Sequence, residues 1–475
     1  MIEERIAHQP AVLAARAGLP SHQHTVWMVG GALRDALLGA GYIADLDLVV
    51  SGDAAAPARA IAKATGRPVF PLSEQFGAWR VVGDGWLCDI TPMQGATIED
   101  DLAQRDFTIN SMAQPLFGGR LVDPFDGRRD ILDHTLRLVA PDAYERDRLR
   151  PLRLVRFATE LGFTVDAQTA SATREWGPRV IEAAGERVFA ELRRIVIAPR
   201  AADGLRLASD LNVLGAVLPE LEALHGIEQS QFHHLDVYDH TIEVLNSLDE
   251  IESHLAGYFP DDARQLRAVL DEPLADELTR GQALRFAALL HDIGKAETRR
   301  LTDSGRVTFI GHDALGADMI RKLCLRLRTS ERLREFLAQI TRQHLVLGFL
   351  VHERPLSQRA IYRYLKLCSP VEVEVTLLTC ADRIATRGKN AEPAIEAHLE
   401  LARELMTAGL RWRADGPPRP PLRGDELAHE LGIEPGPDLG RILAALEEAS
   451  YAGEVTTADQ AVEYARRLRE NSAQT

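Results

Sequence analysis

The sequence changes its pattern near Pro141, and this change constrains the fold more than any other feature. From Val26 to about Val139, short apolar runs typical of strands alternate with helical stretches. The runs VWMV, DLDLVV, RPVFP, AWRVVG and GWLCDI predict strands, and helices are predicted at about 31–38 and 54–65. Beyond Pro141 nearly every segment carries apolar residues at helical spacing. We therefore expect an α+β fold in which a mixed head precedes a long all-helical remainder.

Composition excludes several classes of protein. The 475 residues correspond to about three domains, and 45% hydrophobic with 26% charged residues is typical of a folded protein with a core. No apolar run approaches the ~18 residues that span a bilayer, and the N-terminal segment lacks the apolar stretch of a secretory signal. The four cysteines show no CxxC spacing, which disfavours a disulfide framework or a thiolate zinc site. These features predict a cytoplasmic protein without a membrane partner.

The net charge of −15 is opposite in sign to that of a non-specific nucleic-acid binder. A local patch can still contact nucleic acid, because the field at a surface depends on nearby charges rather than on the total. Residues 128–156 form such a patch, with eight arginines against five acidic residues. This arginine-rich strip is a local positive patch that the total charge hides.

The segment VGGALRD, residues 29–35, predicts a strand that ends in a Gly-Gly turn and leads into a helix. Gly30 and Gly31 allow the backbone to approach a triphosphate closely, and amide groups at a helix start favour an anion. Arg34 lies one helical turn further on, within reach of a phosphate. Taken alone, such a segment is more often a plain connection between a strand and a helix.

Asp45 and Asp47 lie two residues apart in a predicted strand, so both carboxylates point to the same face. Two like charges this close are costly unless a cation lies between them. Mg²⁺ is the expected cation, because one or two carboxylates together with substrate phosphates commonly bind it. Asp89, at the end of a later predicted strand, is a third candidate for the same cluster. The alternative is a solvated strand end with exposed aspartates.

A third motif, RDFTIN at 105–110, is followed by LVDPFDGRRDI. In order and spacing, VGGALRD, DLD, RDFTIN and DPFDG resemble the class II tRNA nucleotidyltransferase and bacterial poly(A) polymerase family. The resemblance covers residues 25–230 well and weakens afterwards. It implies a polymerase-β-like head that uses two metal ions to add nucleotides to an RNA 3′ end.

The resemblance implies roles for individual residues of the head. It assigns metal binding to Asp45 and Asp47, while Asp89 remains the third catalytic candidate. Motif residues and two arginines of the strip are predicted to surround the nucleotide. These residues are Gly30, Gly31, Arg34, Arg105, Asp106, Asn110, Arg153 and Arg156.

The family also carries an amino-acid template for the incoming base, written EDxxR, before a Leu-Arg-rich helix. Asp147 and Arg150 match it, and the spacing i, i+3 puts them on one helical face. A carboxylate can accept from cytosine N4 or adenine N6, and an arginine can donate to ring acceptors. The leading Glu of the template is Arg146 here, and the first Arg of the family's RRDFT segment is Gln104. The alternative for Asp147 and Arg150 is an ion pair at the surface.

Further along, histidines and aspartates recur in helical segments. The candidate metal ligands are His240, His291, Asp292, His312, His344 and Asp382. The order H…HD…H…H…D resembles the HD phosphohydrolase superfamily, including its extended form with two metals. The resemblance implies hydrolysis of a phosphate ester by a metal-bound hydroxide, and imidazole ligands favour Ni²⁺, Mn²⁺ or Fe²⁺.

We expect a minimal metal-binding set in this region and two further ligands for a second ion. The minimal set is His240, His291, Asp292 and Asp382, and the ligands available for the second ion are His312 and His344. The alternative is a vestigial domain that retains some of its ligands.

Four domains are predicted in chain order: a nucleotidyltransferase head, a helical neck or RNA-binding region, an HD domain and a helical tail. Their bounds are 1–140, 141–228, 229–390 and 391–475. The tail is expected either to help hold tRNA or only to pack.

The main functional prediction is addition or repair of the 3′-CCA end of tRNA from CTP and ATP. A poly(A) polymerase and a partial CC- or A-adding enzyme remain open, because one base-reading pair would serve all three. From another class, a metal phosphohydrolase with a degenerate RNA-binding head also remains. The intact pair Asp45 and Asp47 argues against that alternative.

Overall fold

The computed structural model of the protein describes residues 2–21, 26–74, 76–229, 235–387 and 391–473. The chain forms two compact units, Met1–Val217 and Leu218–Thr475. The four predicted domains are finer than these two units and stay a prediction. Among the described residues, no helix combines the length and apolar content needed to cross a bilayer.

A six-stranded sheet forms the centre of the head. Its strands are β1 (Val26–Val29), β2 (Asp45–Val50), β3 (Val69–Ser73), β4 (Ala78–Val82), β5 (Leu87–Pro92) and β6 (Ala113–Pro115). The spatial order is β3-β4-β5-β2-β1-β6, in which β2 and β5 run parallel and the other neighbours antiparallel. All five predicted strands are confirmed, although β3 and β5 begin later than the sequence indicated. The sequence did not predict β6, because a strand this short gives no alternation to recognise.

Helices of the first unit flank this sheet and continue into the neck. They are α1 (Ile2–Ile6), α2 (Pro10–Gly18), α3 (Gly31–Leu38), α4 (Ala55–Thr65), α5 (Ile98–Leu102), α6 (Gly127–Leu132), α7 (Ala143–Arg146), α8 (Arg150–Leu161), α9 (Ala167–Trp176), α10 (Gly185–Val196), α11 (Ala201–Asp210) and α12 (Leu214–Val217). The two helices predicted in the head are confirmed as α3 and α4. Each of these ends at a glycine in the left-handed conformation, Gly39 (φ 89°) and Gly66 (φ 66°).

A small apolar core lies at the end of β1. Val29, Val49 and Ala113, from three neighbouring strands, pack with Ile98 and Leu102 of α5. A capping box in which the N-cap threonine accepts from the third helical residue starts α5 at this place. This core fixes where β1 ends and therefore where the Gly-Gly turn begins.

The neck begins with α8, which packs against α10 and α11. Its apolar residues Leu152 and Val155 are buried, and so is Arg156 (3% exposed). Two short parallel strands, β7 (Thr135–Leu136) and β8 (Thr164–Val165), pair beside it. The helical remainder predicted from the sequence is confirmed.

The second unit is almost entirely helical. Its helices are α13 (Pro219–Glu222), α14 (Val237–Ser253), α15 (Leu255–Tyr258), α16 (Ala263–Leu270), α17 (Arg280–Leu290), α18 (Lys295–Thr298), α19 (His312–Arg326), α20 (Glu331–Gln343), α21 (Val346–Leu350), α22 (Gln358–Cys368), α23 (Glu372–Ala385), α24 (Ala391–Asp415), α25 (Gly424–Leu431), α26 (Pro437–Tyr451) and α27 (Ala458–Ala473). Two short hairpins interrupt them, formed by β9 (Pro273–Ala275) with β10 (Leu278–Thr279) and by β11 (Arg300–Leu301) with β12 (Val307–Thr308).

Five helices of this unit, α14, α17, α19, α20 and α23, pack on one another. They carry the predicted metal ligands at their ends or on their inner faces. The last three helices, α25 to α27, share a separate small core that includes Leu427, Leu446 and Ala461.

Candidate functional site

The turn after β1 meets the middle of β2 because the two strands are antiparallel neighbours. In their register Val29 lies opposite Asp47, so Gly30 leaves the strand beside the Asp47 carboxylate. Gly30 has φ 73°, in the left-handed region, and a Cβ there would lie 3.0 Å from Asp47 Oδ2. Glycine permits both the backbone conformation and the close approach. Gly31 then starts α3 in the same cleft, so the first amide groups of the helix are available to an anion.

Three carboxylates lie side by side on the sheet. Asp45 and Asp47 share one face of β2, and Asp89 of β5 is the register neighbour of Asp47. Arg80 donates to both oxygens of Asp89, at 2.7 Å each. The charge of Asp89 is therefore balanced within the sheet, whereas Asp45 and Asp47 face the cleft.

Desolvation raises the pKa of Asp47 to about 6. The Arg105 guanidinium opposes this rise in pKa, and the Asp89 and Asp45 carboxylates add to it. A divalent cation beside Asp47 would relieve the same repulsion. The donor set consists of carboxylate oxygens, which Mg²⁺ prefers, so Asp45 and Asp47 fit as the residues that would hold this ion.

The RDFTIN segment is anchored by Asp106, which is 5% exposed. Its carboxylate accepts from the Phe107 amide (2.8 Å), from Asn110 Nδ2 (3.2 Å) and from Arg153 Nη2 (2.7 Å). Burial acts to raise the pKa of Asp106, but the Arg153 guanidinium outweighs it and holds this pKa well below its usual range. Arg34 in turn donates to Asn110 Oδ1 at 2.8 Å. These bonds join the segment to α3 on one side and to α8 on the other.

Behind Asp106, arginines and glutamates alternate in a chain of ion pairs. Arg153 pairs with Glu191 (3.4 Å), and Glu191 also accepts from Arg156. Arg156 pairs with Glu160 (2.8 Å), which pairs with Arg194 (2.7 Å). All three arginines line the cleft, and their carboxylate partners hold them in place.

The prediction that Asp147 and Arg150 share one helical face is wrong, because Asp147 lies in extended backbone after α7 and Arg150 is the first residue of α8. The two template residues are positioned by different contacts. Asp147 accepts from Arg187 Nη2 at 2.8 Å. Arg150 donates to the main-chain carbonyl oxygens of Gln104 (2.6 Å) and Arg105 (3.1 Å). Arg150 thus contacts the main chain of Gln104, the residue before the RDFTIN segment. The side chain of Gln104 departs from the family pattern.

A cleft of about 620 Å³, the head cleft, gathers the predicted residues of the first unit. Those that line it are Gly30, Gly31, Arg34, Asp45, Asp47, Arg105, Asp106, Asn110, Asp147, Arg150, Arg153 and Arg156. Asp89 is not among the described residues of its lining. Sequence reasoning missed Ile43, Phe157 and Arg194, which also line the cleft. Arg194 lies on α10, outside every motif, and its position along the chain carried no signal.

In the second unit, six side chains form two groups of three potential metal ligands. The first group is His240, His291 and Asp382, and the second is Asp292, His312 and His344. Within each group the ligand atoms lie within 4.8 Å of one another. The sequence placed Asp292 with the first three residues, whereas in the structure its carboxylate groups with the other two histidines.

The Asp292 carboxylate lies between the two groups. Its Oδ2 is 3.2 Å from His291 Nε2, and its Oδ1 is 3.3 Å from His312 Nε2. Lys295 Nζ lies 2.6 Å from Oδ2. Burial acts to raise the pKa of Asp292, but His291 and Lys295 hold this pKa well below its usual range. With one oxygen toward each group, Asp292 would be able to contribute a carboxylate oxygen to a cation held by either of them.

Three of the histidines are oriented by nearby main-chain carbonyls. Nδ1 of His291, His312 and His344 lies 2.8, 2.7 and 2.6 Å from the carbonyl oxygen three residues earlier. Each ring thus presents Nε2 to the centre, as metal-ligating histidines commonly do. His291 Nε2 and both Asp292 oxygens are buried without a well-formed hydrogen bond among the described residues. Such atoms are costly unless a cation satisfies them, so the donor set fits a transition metal.

These groups border a cavity of about 380 Å³, the histidine pocket. Asp292, His312, His344 and Asp382 line it. The pocket is large enough to bring a small ligand against the metal-binding atoms.

Three family models match the chain. The Poly A polymerase head domain matches residues 26–137, and the HD domain matches residues 237–387. A region described as a probable RNA and SrmB-binding site of polymerase A matches residues 162–224. All six candidate metal ligands of the second unit fall within the HD match.

Curated relatives cover almost the whole chain. The A-adding tRNA nucleotidyltransferase of Deinococcus radiodurans is 36% identical over 96% of this chain and 98% of its own length. The CC-adding tRNA nucleotidyltransferase of Thermus thermophilus is 33% identical over 91% of each chain. The multifunctional CCA protein of Xanthomonas campestris is 32% identical over 90% of this chain and 98% of its own.

Solved structures share the fold. A CCA-adding enzyme in complex with CTP has a TM-score of 0.64, covers 99% of this chain and 97% of its own, and is 18% identical. The Thermotoga maritima CCA-adding enzyme complexed with tRNA has a TM-score of 0.60 over 98% of both chains, also at 18% identity.

We expect Mg²⁺ to bind the head cleft more weakly as the pH falls through about 6, where Asp47 becomes protonated. Without metal, the folded protein holds a proton on Asp47 between pH 3.8 and about 6 that the unfolded chain lacks. The contribution of Asp47 to stability therefore declines as the pH rises through this window. Titration calorimetry of Mg²⁺ binding across that window checks the first expectation. Asp47→Asn should flatten the pH profile, whereas the exposed Asp84→Asn should leave it unchanged; a steep profile in Asp47→Asn contradicts the assignment.

Proposed function

The chain belongs to the tRNA nucleotidyltransferase family, and on that premise we propose that it extends the 3′ end of tRNA from CTP and ATP, adding or repairing the terminal CCA. The head cleft carries this proposal. Its carboxylate pair, its glycine turn and its template residues Asp147 and Arg150 border one space of about 620 Å³. That volume is within the range of small-ligand sites, which suits a nucleoside triphosphate.

Different residues of the cleft bind the metal ions and the triphosphate during nucleotide transfer. Asp45 and Asp47 would hold divalent ions, which neutralise charge on the transferred nucleotidyl group and orient the attacking hydroxyl. We propose Mg²⁺ as the metal, because the donors are carboxylates. The amide groups at Gly30 and Gly31 and the guanidinium of Arg34 bind the triphosphate. Bound substrates gain rate because the reacting atoms are held in position.

Base selection falls to Asp147 and Arg150. Both side chains border the cleft, and Arg150 is tied to the main chain of Gln104 and Arg105. The carboxylate can accept from an exocyclic amino group, and the guanidinium can donate to ring acceptors. Both cytosine and adenine offer an amino donor beside a ring acceptor, which accords with the use of CTP and ATP.

The relatives include an A-adding enzyme, a CC-adding enzyme and a multifunctional CCA protein. The number of nucleotides that this protein adds therefore needs a direct test. The protein is incubated with tRNAs that end before CCA, after the first C and after the second C, with CTP and ATP singly and together. Completion of all three ends supports the full CCA activity. Extension only as far as CC indicates a CC-adding enzyme, extension only of the CC-ending tRNA an A-adding one, and long A tails a poly(A) polymerase.

We expect Asp45→Ala and Asp47→Ala each to reduce nucleotide addition by more than ~100-fold while the protein stays folded. Changes to residues that only orient metal ligands cost about 10–100-fold, so loss of a ligand should exceed that. Single-turnover extension of tRNA measures the rate, and circular dichroism checks the fold. The exposed Asp84→Ala serves as the control. Wild-type turnover in both cleft variants would rule out the metal assignment.

We expect Asp147→Asn and Arg150→Lys to relax the choice of CTP and ATP over UTP and GTP. Each lost base contact should reduce discrimination about 5- to 150-fold, which corresponds to about 1–3 kcal/mol. Competition between nucleotides in the extension assay measures the ratio. Arg146→Ala, outside the described cleft lining, should keep wild-type selectivity. Full selectivity in both template variants would show that the base is read elsewhere.

We also propose that the histidine pocket hydrolyses a phosphomonoester or a 2′,3′-cyclic phosphate with Ni²⁺, Mn²⁺ or Fe²⁺. The support is the pair of three-ligand groups with Asp292 between them. Imidazole ligands favour these metals over Mg²⁺. The alternative is a phosphohydrolase whose head no longer transfers nucleotides. It is less favoured, because the head cleft keeps its carboxylates, glycine turn and arginines.

The two activities should be separable. His291→Ala combined with Asp292→Ala should abolish phosphoester hydrolysis and leave nucleotide addition within about 2-fold, since the head cleft and the histidine pocket share no described lining residue. Asp47→Asn should do the reverse, so each variant is the control for the other. Rates are measured with each metal added singly after chelation. Failure to bind or respond to any transition metal would favour a vestigial pocket.

We propose that the two compact units contain four functional parts with the bounds expected from the sequence: 1–140, 141–228, 229–390 and 391–475. The helical tail would assist in holding tRNA. A cytoplasmic location accords with tRNA as the substrate.

A further inference from the structure

The histidine pocket contains a seventh residue with an unusual environment. His398 of α24 lines the pocket together with Asp382 and is only 5% exposed. Its Nε2 is buried and forms no hydrogen bond with any described residue. A buried polar atom without a partner is unfavourable, so a molecule bound in the pocket would have to supply one.

The tautomer of the ring follows from its surroundings. The main chain of Thr379 acts to raise the pKa of His398, which favours a ring N–H on that side; since Nε2 has no partner, we assign this proton to Nδ1. Nε2 is then a bare acceptor. Burial lowers the pKa of His398 to about 4, so the ring is uncharged near neutral pH. The missing partner must therefore be a metal ion or a hydrogen-bond donor.

A hydroxyl group is the donor that fits best. Among the described residues, His398 belongs to neither of the three-ligand groups, so a metal ion held there does not supply its partner. A phosphate with a second pKa near 6 carries no proton to donate at neutral pH. The alcohol portion of a phosphoester can donate such a hydrogen bond when it keeps a free hydroxyl.

The guanidinium of Arg383 is a second group of this pocket with an unpartnered atom, and this atom is a donor rather than an acceptor. Arg383 lines the pocket, and its Nε is buried without a hydrogen bond to a described residue. Lys295, the other cation near the ligands, already contacts Asp292 (2.6 Å) and Gln229 (2.9 Å). Arg383 Nε is therefore a donor available to a phosphate oxygen.

We propose that His398 and Arg383 contact the substrate of the histidine pocket, with Arg383 Nε donating to a phosphate oxygen and His398 Nε2 accepting from a hydroxyl of the esterified sugar. This inference rests on the proposed phosphohydrolase function and gives it a selectivity. The pocket discriminates in favour of hydroxyl-bearing phosphoesters, such as ribose phosphates, over phosphates of simple phenols. His398 acts as a positioning residue for the sugar and Arg383 as one for the phosphate.

Two substrates separate these roles in the full-length, metal-loaded protein. Ribose 5-phosphate carries hydroxyls, and p-nitrophenyl phosphate carries none on its alcohol portion. His398→Phe should raise KM for ribose 5-phosphate at least 10-fold and leave p-nitrophenyl phosphate within about 2-fold. His398→Gln, which restores an acceptor, should recover part of the loss. Arg383→Gln should weaken both substrates alike, and the exposed His429→Phe should change neither.

A binding measurement keeps the inference testable if the wild-type protein hydrolyses neither substrate, a result that would remove the monoesterase part of the proposed phosphohydrolase function. Calorimetry of the Mn²⁺-loaded protein, in an Asp47→Asn background that disables the head cleft, compares ribose 5-phosphate with phenyl phosphate. Selective loss of ribose 5-phosphate binding in His398→Phe supports the assignment. Equal weakening of both ligands, no weakening, or loss of bound Mn²⁺ by mass spectrometry in that variant overturns it.

Discussion

The antiparallel pairing of β1 with β2 is the constraint on which the head cleft depends. Because Val29 lies opposite Asp47, the chain leaves β1 at the point where a carboxylate faces the cleft. A side chain at position 30 would meet that carboxylate, so the sequence must supply glycine there. A shift of the register by one residue would turn both aspartates to the other face of the sheet. The parts proposed to bind metal and phosphate are therefore set by one pairing.

Ion pairs then keep the cationic side of the cleft in place. Asp106 and Glu191 hold Arg153, and Glu160 holds Arg156 and Arg194. The buried members of this chain pair with opposite charges, which avoids the large cost of an isolated charge in the interior. The histidine pocket follows another principle, since main-chain carbonyls hold three of its four candidate imidazole ligands. The chain thus carries two sites that differ in the hardness of their ligands and in the metals they favour.

The sequence predicted the features that depend on local pattern. Strand alternation, the Gly-Gly turn and the spacing of Asp45 and Asp47 are visible in short segments, and the structure has these strands and this turn. The pairing of Asp89 with Arg80 could not be predicted, because it depends on the spatial order of β4, β5 and β2. The same holds for Arg194, which reaches the cleft only because α10 packs against α8. The grouping of Asp292 with His312 and His344 could not be predicted either, because it depends on how the ends of α17, α19 and α20 pack together.

The position of Asp292 between two ligand groups would have a thermodynamic consequence if both groups held a cation, as proposed. The one carboxylate would then serve both ions, so the first ion to bind would reduce the attraction left for the second. Repulsion between the ions would act in the same direction. A half-filled pocket would therefore be a distinct state over a range of free-metal concentrations, and the supply of metal would set how much of the protein carries a complete pair.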